Sequence, residues 1–204
     1  MTSSETSETT KDPSTALRGE PQIKYTVPGM STDDGAAVVK NLQDRLTALT
    51  DLHLTLKHVH WNVVGPNFIG VHEMIDPQVD AVREMADACA ERIAALGGSP
   101  VGTPGAVVAA RKWDDYSLGR AGTIEHLGAL DLVYQGVISD YREGIEQAGE
   151  VDPVTEDMLI DHSGDLEQFH WFVRAHLENA GGEVASSGAS SETDAARRAR
   201  QGSI

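Results

Sequence analysis

Four side chains of metal-binding type, His72, Asp76, Asp87 and Glu91, share one narrow stripe if the segment that carries them is helical. At about 100° per residue they fall at roughly 0°, 40°, 60° and 100° around the axis. Imidazole and carboxylate are donors that bind iron, and no thiolate is required. Acidic stripes also form ordinary solvated helix faces, so these four residues alone leave both readings open. The rise along the axis sharpens the choice. The pair His72/Asp76 and the pair Asp87/Glu91 are offset by 15 residues, about 22 Å of helix, and no single ion reaches both pairs on one helix. A second copy of the helix, antiparallel about a two-fold axis near residues 81–82, brings one chain's pair beside the other's and creates two equivalent mixed sites. Ligand spacing therefore predicts a dimer.

His60 adds to this set. It lies on the apolar seam of the preceding helix, just before Trp61. A histidine on such a seam is ordinarily a core residue satisfied by a hydrogen bond, and His53, on the same seam, keeps that reading. His60 differs because it precedes a tight turn that brings the next helix alongside, close to His72.

The elements that must hold these residues are helical. Ser31 with Asp34 resembles a capping-box start. Leu42, Leu46, Leu49, His53, Leu56, His60 and Val63 then recur at steps of three and four. Val64-Gly65-Pro66-Asn67 breaks this helix, with Asn67 a candidate cap for the next. The second helix is predicted over 67–96, closed by Gly97-Gly98 and weakened at Pro77. The Gly/Pro-rich stretch 97–118 reads as a connection with a short helix around 106–112. A third helix over 120–148 and a fourth from Asp152-Pro153 to Gly181-Gly182 complete an all-α four-helix bundle. Residues 1–30 and 182–204, polar and without periodicity, are expected to be a flexible arm and a flexible tail around a 31–181 body.

Composition narrows the function classes. The formal net charge is −16, and the central segment holds nearly all of it; such a surface attracts cations and repels nucleic acid. No run of 18 apolar residues is present, so no membrane-spanning helix is expected. The start of the chain lacks the apolar stretch of a secretory signal. Cys89 stands alone, which fits a reducing, cytoplasmic setting.

The run from Asp51 through His58-Val-His60-Trp61 to His72 and Asp76, followed by Asp87-Ala-Cys-Ala-Glu91-Arg, resembles the Dps family, the mini-ferritins named as DNA-binding proteins from starved cells. The steps of 12, 4, 11 and 4 residues between His60, His72, Asp76, Asp87 and Glu91 are highly specific. The likeness extends over about 31–181, through Trp113-Asp114-Asp115-Tyr116 and the helix with His170-Trp171. It implies a ferritin-like bundle assembled as a hollow homododecamer from two-fold dimers. It also implies a ferroxidase that takes Fe²⁺ and hydrogen peroxide, or dioxygen, as substrates and stores ferric mineral. In that reading Asp87 and Glu91 of one chain hold iron with His60 of the other. His72 and Asp76 of that second chain complete a more weakly held position, and Trp61 and Trp113 lie close by as redox aromatics. The resemblance further implies a three-fold iron-entry pore at Asp152, Glu156 and Asp157, Asp157 being the best match, although acids at a helix start are also simple dipole complements.

Two other readings compete. Arg197, Arg198 and Arg200 form a small basic cluster, so a cage that mainly binds and compacts DNA through this tail is the alternative function. Its three charges gain from repetition in a dodecamer but stand against the acidic body. A conventional di-iron bundle needs two Glu-x-x-His motifs on separate helices. Only Glu167/His170 exists, and it reads as surface or packing.

Overall fold

In the computed structural model the described residues are 23–202. They form six helices: α1 Thr32–Asn62, α2 Phe68–Ala95, α3 Pro104–Ala110, α4 Thr123–Gly149, α5 Pro153–Ala175 and α6 Glu192–Gly202. Ser31 starts α1 as expected, its Oγ accepting from the Asp34 amide at 3.1 Å. Leu42, Leu49, Leu52, Leu56 and Val59 along α1 are buried against Ile75, Val82 and Ile93 of α2 and Leu127, Leu130 and Tyr134 of α4. The apolar positions of the seam read from the sequence, and His60, are thus buried; His53, expected in the core with them, is only half-buried.

The turn between α1 and α2 places the candidate ligands. Val63–Val64 leaves α1 extended and pairs in parallel with Ala121–Gly122, which fixes the turn to the start of α4. Gly65 (φ 94°) and Asn67 (φ 62°) then take left-handed conformations. Asn67 makes no side-chain cap bond, so its contribution is tolerance of that backbone rather than the capping expected of it. Pro77 lies inside α2, which continues through it.

Three other expectations are revised. The short helix begins at Pro104, earlier than predicted, with the proline at its first turn. Helix α5 ends at Ala175 rather than at Gly181. Residues beyond it turn back through an isolated bridge between Glu178 and Val184. The tail is not a featureless strand of polar residues: α6 packs on α4 by burying Ala195, Ala196 and Ala199. Gly128 permits this approach, since a Cβ there would stand 2.7 Å from the Ala199 methyl and 2.8 Å from the Ala195 carbonyl oxygen. Most of the expected N-terminal arm lies outside the described residues. Its last part, with Val27 and Met30, packs against the core.

Candidate metal centre

The turn brings His60, at the end of α1, beside His72, one turn into α2. Their rings stack with centroids 3.6 Å apart and planes 23° from parallel. Each ring bonds the other residue's main chain: His60 Nδ1 to the His72 carbonyl oxygen at 3.1 Å, and His72 Nδ1 to that of His60 at 3.0 Å. A carbonyl oxygen only accepts, so each Nδ1 carries the hydrogen and donates. In the neutral imidazole that leaves each Nε2 with its lone pair, the tautomer and fixed orientation that a metal-ligating histidine needs. Asp76, one helical turn after His72, brings Oδ1 to 3.2 Å from His60 Nδ1. One ligand atom from each of the three residues lies within 4.8 Å of the others, the one such group found among the described residues.

Lys57, one turn before His60, donates to Asp76 Oδ1 at 3.0 Å. This hydrogen bond, more than the nearby histidines, holds the exposed Asp76 carboxyl below the usual carboxylate range. The ammonium also lies 5.9 Å from the Trp61 ring centroid. Lys57 was not picked out from the sequence, because its partner is 19 residues away on another helix and a lysine carries no ligand signature.

Asp87 and Glu91 are exposed on α2 and stand outside this cluster, as the helical rise requires. Cys89 between them is fully buried, and burial pushes its thiol up to about 12, so it offers no thiolate to a metal. Two imidazoles and one carboxylate therefore gather where the end of α1 meets the start of α2, two carboxylates stand toward the other end of α2, and the five do not come together within one chain.

The two tryptophans separate. Trp61 is 71% exposed beside the cluster. Trp113 donates its Nε1 to Asp51 Oδ2 at 2.7 Å. Asp51 and His60 are nine residues apart on α1, half a turn out of phase and about 14 Å along the axis, so within one chain Trp113 is on the far side of α1 from His60.

The acids at the start of α5 also differ from one another. Asp152 is 3% exposed, ion-paired to Arg92 at 2.6 Å and bonded to Thr155 and the Val154 amide. Burial alone would raise this carboxyl, but those partners outweigh it and hold it low. Its carboxylate closes a joint between α2 and α5 and is not presented to solvent; Asp157 is exposed and Glu156 half-buried. His170 bonds Asp131 Oδ1 at 2.7 Å in the interior, and Glu167 pairs with Arg142, so these two residues serve packing and surface rather than a second metal motif. The tail arginines all have carboxylate partners, Arg197 and Arg198 on Asp194 and Arg200 on Glu125.

Three comparisons bear on this arrangement. Residues 39–181 match the Ferritin-like domain family. The "DNA protection during starvation protein" of Mycolicibacterium smegmatis is 59% identical over 177 residues, which span 87% of this chain and 97% of that protein. The "Fine tangled pili major subunit" of Haemophilus ducreyi is 47% identical over 160 residues, 78% of this chain and 85% of that one. Among solved structures, DpsA14 from Streptomyces coelicolor superposes with a TM-score of 0.80 at 65% identity, covering 82% of this chain and 99% of the other.

Proposed function

We propose, on the premise that this chain belongs to the Dps family of ferritin-like proteins, that it is a ferroxidase and iron store whose catalytic centres are completed between two chains. The observation that carries this reading is the division of ligands along α2. His60, His72 and Asp76 converge at one end, while Asp87 and Glu91 stand exposed about 22 Å of helix away. An antiparallel partner helix supplies the missing carboxylates to each end, and symmetry makes two such centres per dimer.

In each centre Asp87 and Glu91 of one subunit bind the first Fe²⁺ with the Nε2 of the other subunit's His60. His72 and Asp76 hold the second ion more weakly, because Lys57 already pairs with Asp76. Two Fe²⁺ each give one electron to one hydrogen peroxide. Its O–O bond breaks, and both oxygens end as water or as hydroxide on the ferric ions, without release of a free hydroxyl radical. Hydrolysis of the ferric ions yields mineral and protons inside a dodecameric cage. Removing iron and peroxide together protects DNA without requiring contact with it, a role that suits the cytoplasm.

DNA binding through Arg197, Arg198 and Arg200 is the weaker reading. Each guanidinium is paired with a carboxylate on α6 or α4, and the body is strongly acidic. Binding that survives physiological salt in a mobility-shift assay, and is lost on removal of residues 182–204, would favour it over the iron reading as the means of protection.

Peroxide-driven Fe²⁺ oxidation by the wild type, His60→Ala and Asp87→Ala proteins tests the iron reading. Both variants are expected to lose at least 100-fold in the fast phase, since each removes a ligand from both centres of a dimer. Equal rates in all three would overturn the site.

A further inference from the structure

A cavity of about 620 Å³ lies beside Trp113, between α1, α4 and the segment that joins α3 to α4, and the first residues of α6 close one side of it. Its size falls in the range of small-molecule sites. The floor is apolar: Leu52 of α1 and Leu132, Val133 and Val137 of α4. Gly136 opens it further, since a Cβ there would meet nothing within 4 Å. The Trp113 ring forms part of the wall.

The rim is charged in one sense. Asp51, Asp114, Asp115, Asp140 and Glu192 line it against Lys112 alone. Two arginines stand just behind, but both are committed: Arg111 to Asp51 and Asp115, and Arg45 to Asp140. Five carboxylates against three cations leave an uncompensated negative charge over an apolar floor. Glu192, the first residue of α6, accepts from the Ser117 amide at 2.6 Å, and the Thr193 hydroxyl lies 3.2 Å from that of Ser117, so the tail is pinned as a wall of the same cavity.

We propose that this cavity is a binding site for a small amphipathic cation, a flat apolar body carrying an amine, guanidinium or quaternary ammonium group. The apolar body covers the α1–α4 floor and the Trp113 ring, and the positive group meets the carboxylates of the rim. Neither an anion nor a neutral hydrocarbon answers both halves of that description. Because residues of α6 form one wall, the occupied site also holds the tail in place.

Thioflavin T, a benzothiazolium cation, is a suitable probe, with the anionic dye 8-anilinonaphthalene-1-sulfonate as a control of similar size. Both are titrated into the full-length, assembled, iron-free protein by calorimetry. The cation is expected to bind saturably, one per chain, with a Kd on the order of 10–100 µM for a ligand of about twenty heavy atoms. The anion is expected to bind at least tenfold more weakly. Gly136→Leu, which fills the cavity from a position with free space around it, is expected to weaken the cation by about tenfold or more. Asp114→Asn is expected to weaken it about threefold at low salt, an effect that shrinks as salt is added. Circular dichroism verifies that both variants are folded, and ferroxidase activity should be unchanged in each. Equal binding of the two dyes, an unchanged Kd in folded Gly136→Leu, or no saturable binding to the assembled protein because a neighbouring chain fills the cavity would each overturn the proposal.

Discussion

Gly128→Ala should loosen the docking of the tail helix while strengthening the bundle helix on which it packs. The two effects have opposite signs because they arise at different faces of the same residue. Within α4 the change from glycine to alanine favours the helix by about 0.5–1 kcal/mol. Toward α6 the new methyl would lie 2.7 Å from the Ala199 Cβ and 2.8 Å from the Ala195 carbonyl oxygen, where about 3.5–4 Å is normal for carbon–carbon contact. Helix α6 must move out by about 1 Å, at an overpacking cost of about 1–3 kcal/mol. The docking that resists this rests on three buried alanine methyls, about 0.8 kcal/mol each, and on the Ser186–Asp131 hydrogen bond, about 1.5–3 kcal/mol. An 11-residue helix has little stability of its own once undocked. The loss therefore corresponds to roughly 5- to 150-fold more frequent opening. Trypsin cleavage at Arg197, Arg198 and Arg200 under native conditions reads that opening directly, and it should accelerate by the same factor, whereas in a protein shortened by residues 182–204 the same substitution should raise the urea midpoint. Unchanged cleavage in the variant would refute the docking role assigned to Gly128.

Acid should release the same tail. Burial by itself raises the Asp131 carboxyl, but hydrogen bonds from His170 and Ser186 and the charge of His170 outweigh it and hold it below the usual range. A carboxyl depressed in the folded state contributes stability that is fully present above its unfolded value of about 3.9 and is lost as pH falls through the folded value. Tail cleavage by pepsin should thus rise below about pH 4 in the wild type, and Asp131→Asn should show that susceptibility already at neutral pH in a pH-independent protease assay. Lys57→Met removes the cation that competes for Asp76; calorimetry with Zn²⁺ should then find the weaker position of each centre bound several-fold more tightly, whereas unchanged affinity would separate Lys57 from the site. Asp157→Asn should slow iron uptake at limiting Fe²⁺ without changing the rate at saturating Fe²⁺, as expected if exposed acids at the start of α5 gather the cation; Asp152→Asn should instead lower stability, because it leaves Arg92 without its buried partner.

The parts of the fold that repeat locally were legible in the sequence. The α1 seam, the Ser31 cap and the Asp152-Pro153 start of α5 each depend on residues within one or two turns of each other, and all three appear as read, save that His53 of the seam is only half-buried. Features built from distant pairs were not. Helix α6 buries only alanines among arginines, too weak an apolar signal to register, and its partner glycine is about seventy residues earlier. The same holds for Asp152: its capping role is local, but Arg92 sits 60 residues away, so nothing in the segment itself distinguished a buried ion pair from a pore acid. Gly181-Gly182 looked like a helix stop and proved to be a turn beyond one, with Gly182 at φ 85°. At the candidate centre, residue types and helical rise separated the ligands into two groups. They did not reveal the reciprocal His60–His72 bonds that fix both tautomers, nor Lys57 in the place of a second cation.

The claim that each centre is completed by a second chain is tested most directly by complementation between two inactive variants. His60→Ala and Asp87→Ala subunits are each expected to be inactive alone. When the two are unfolded together and co-assembled in equal amounts, half of the dimers pair unlike chains, and each such dimer regains one intact centre: His60 from one subunit with Asp87 from the other. The mixture should recover about 25% of the wild-type fast ferroxidase rate per chain, while mixing the separately assembled variants recovers none. No recovery after co-assembly, with mixed dimers demonstrated by mass spectrometry, would contradict the shared site.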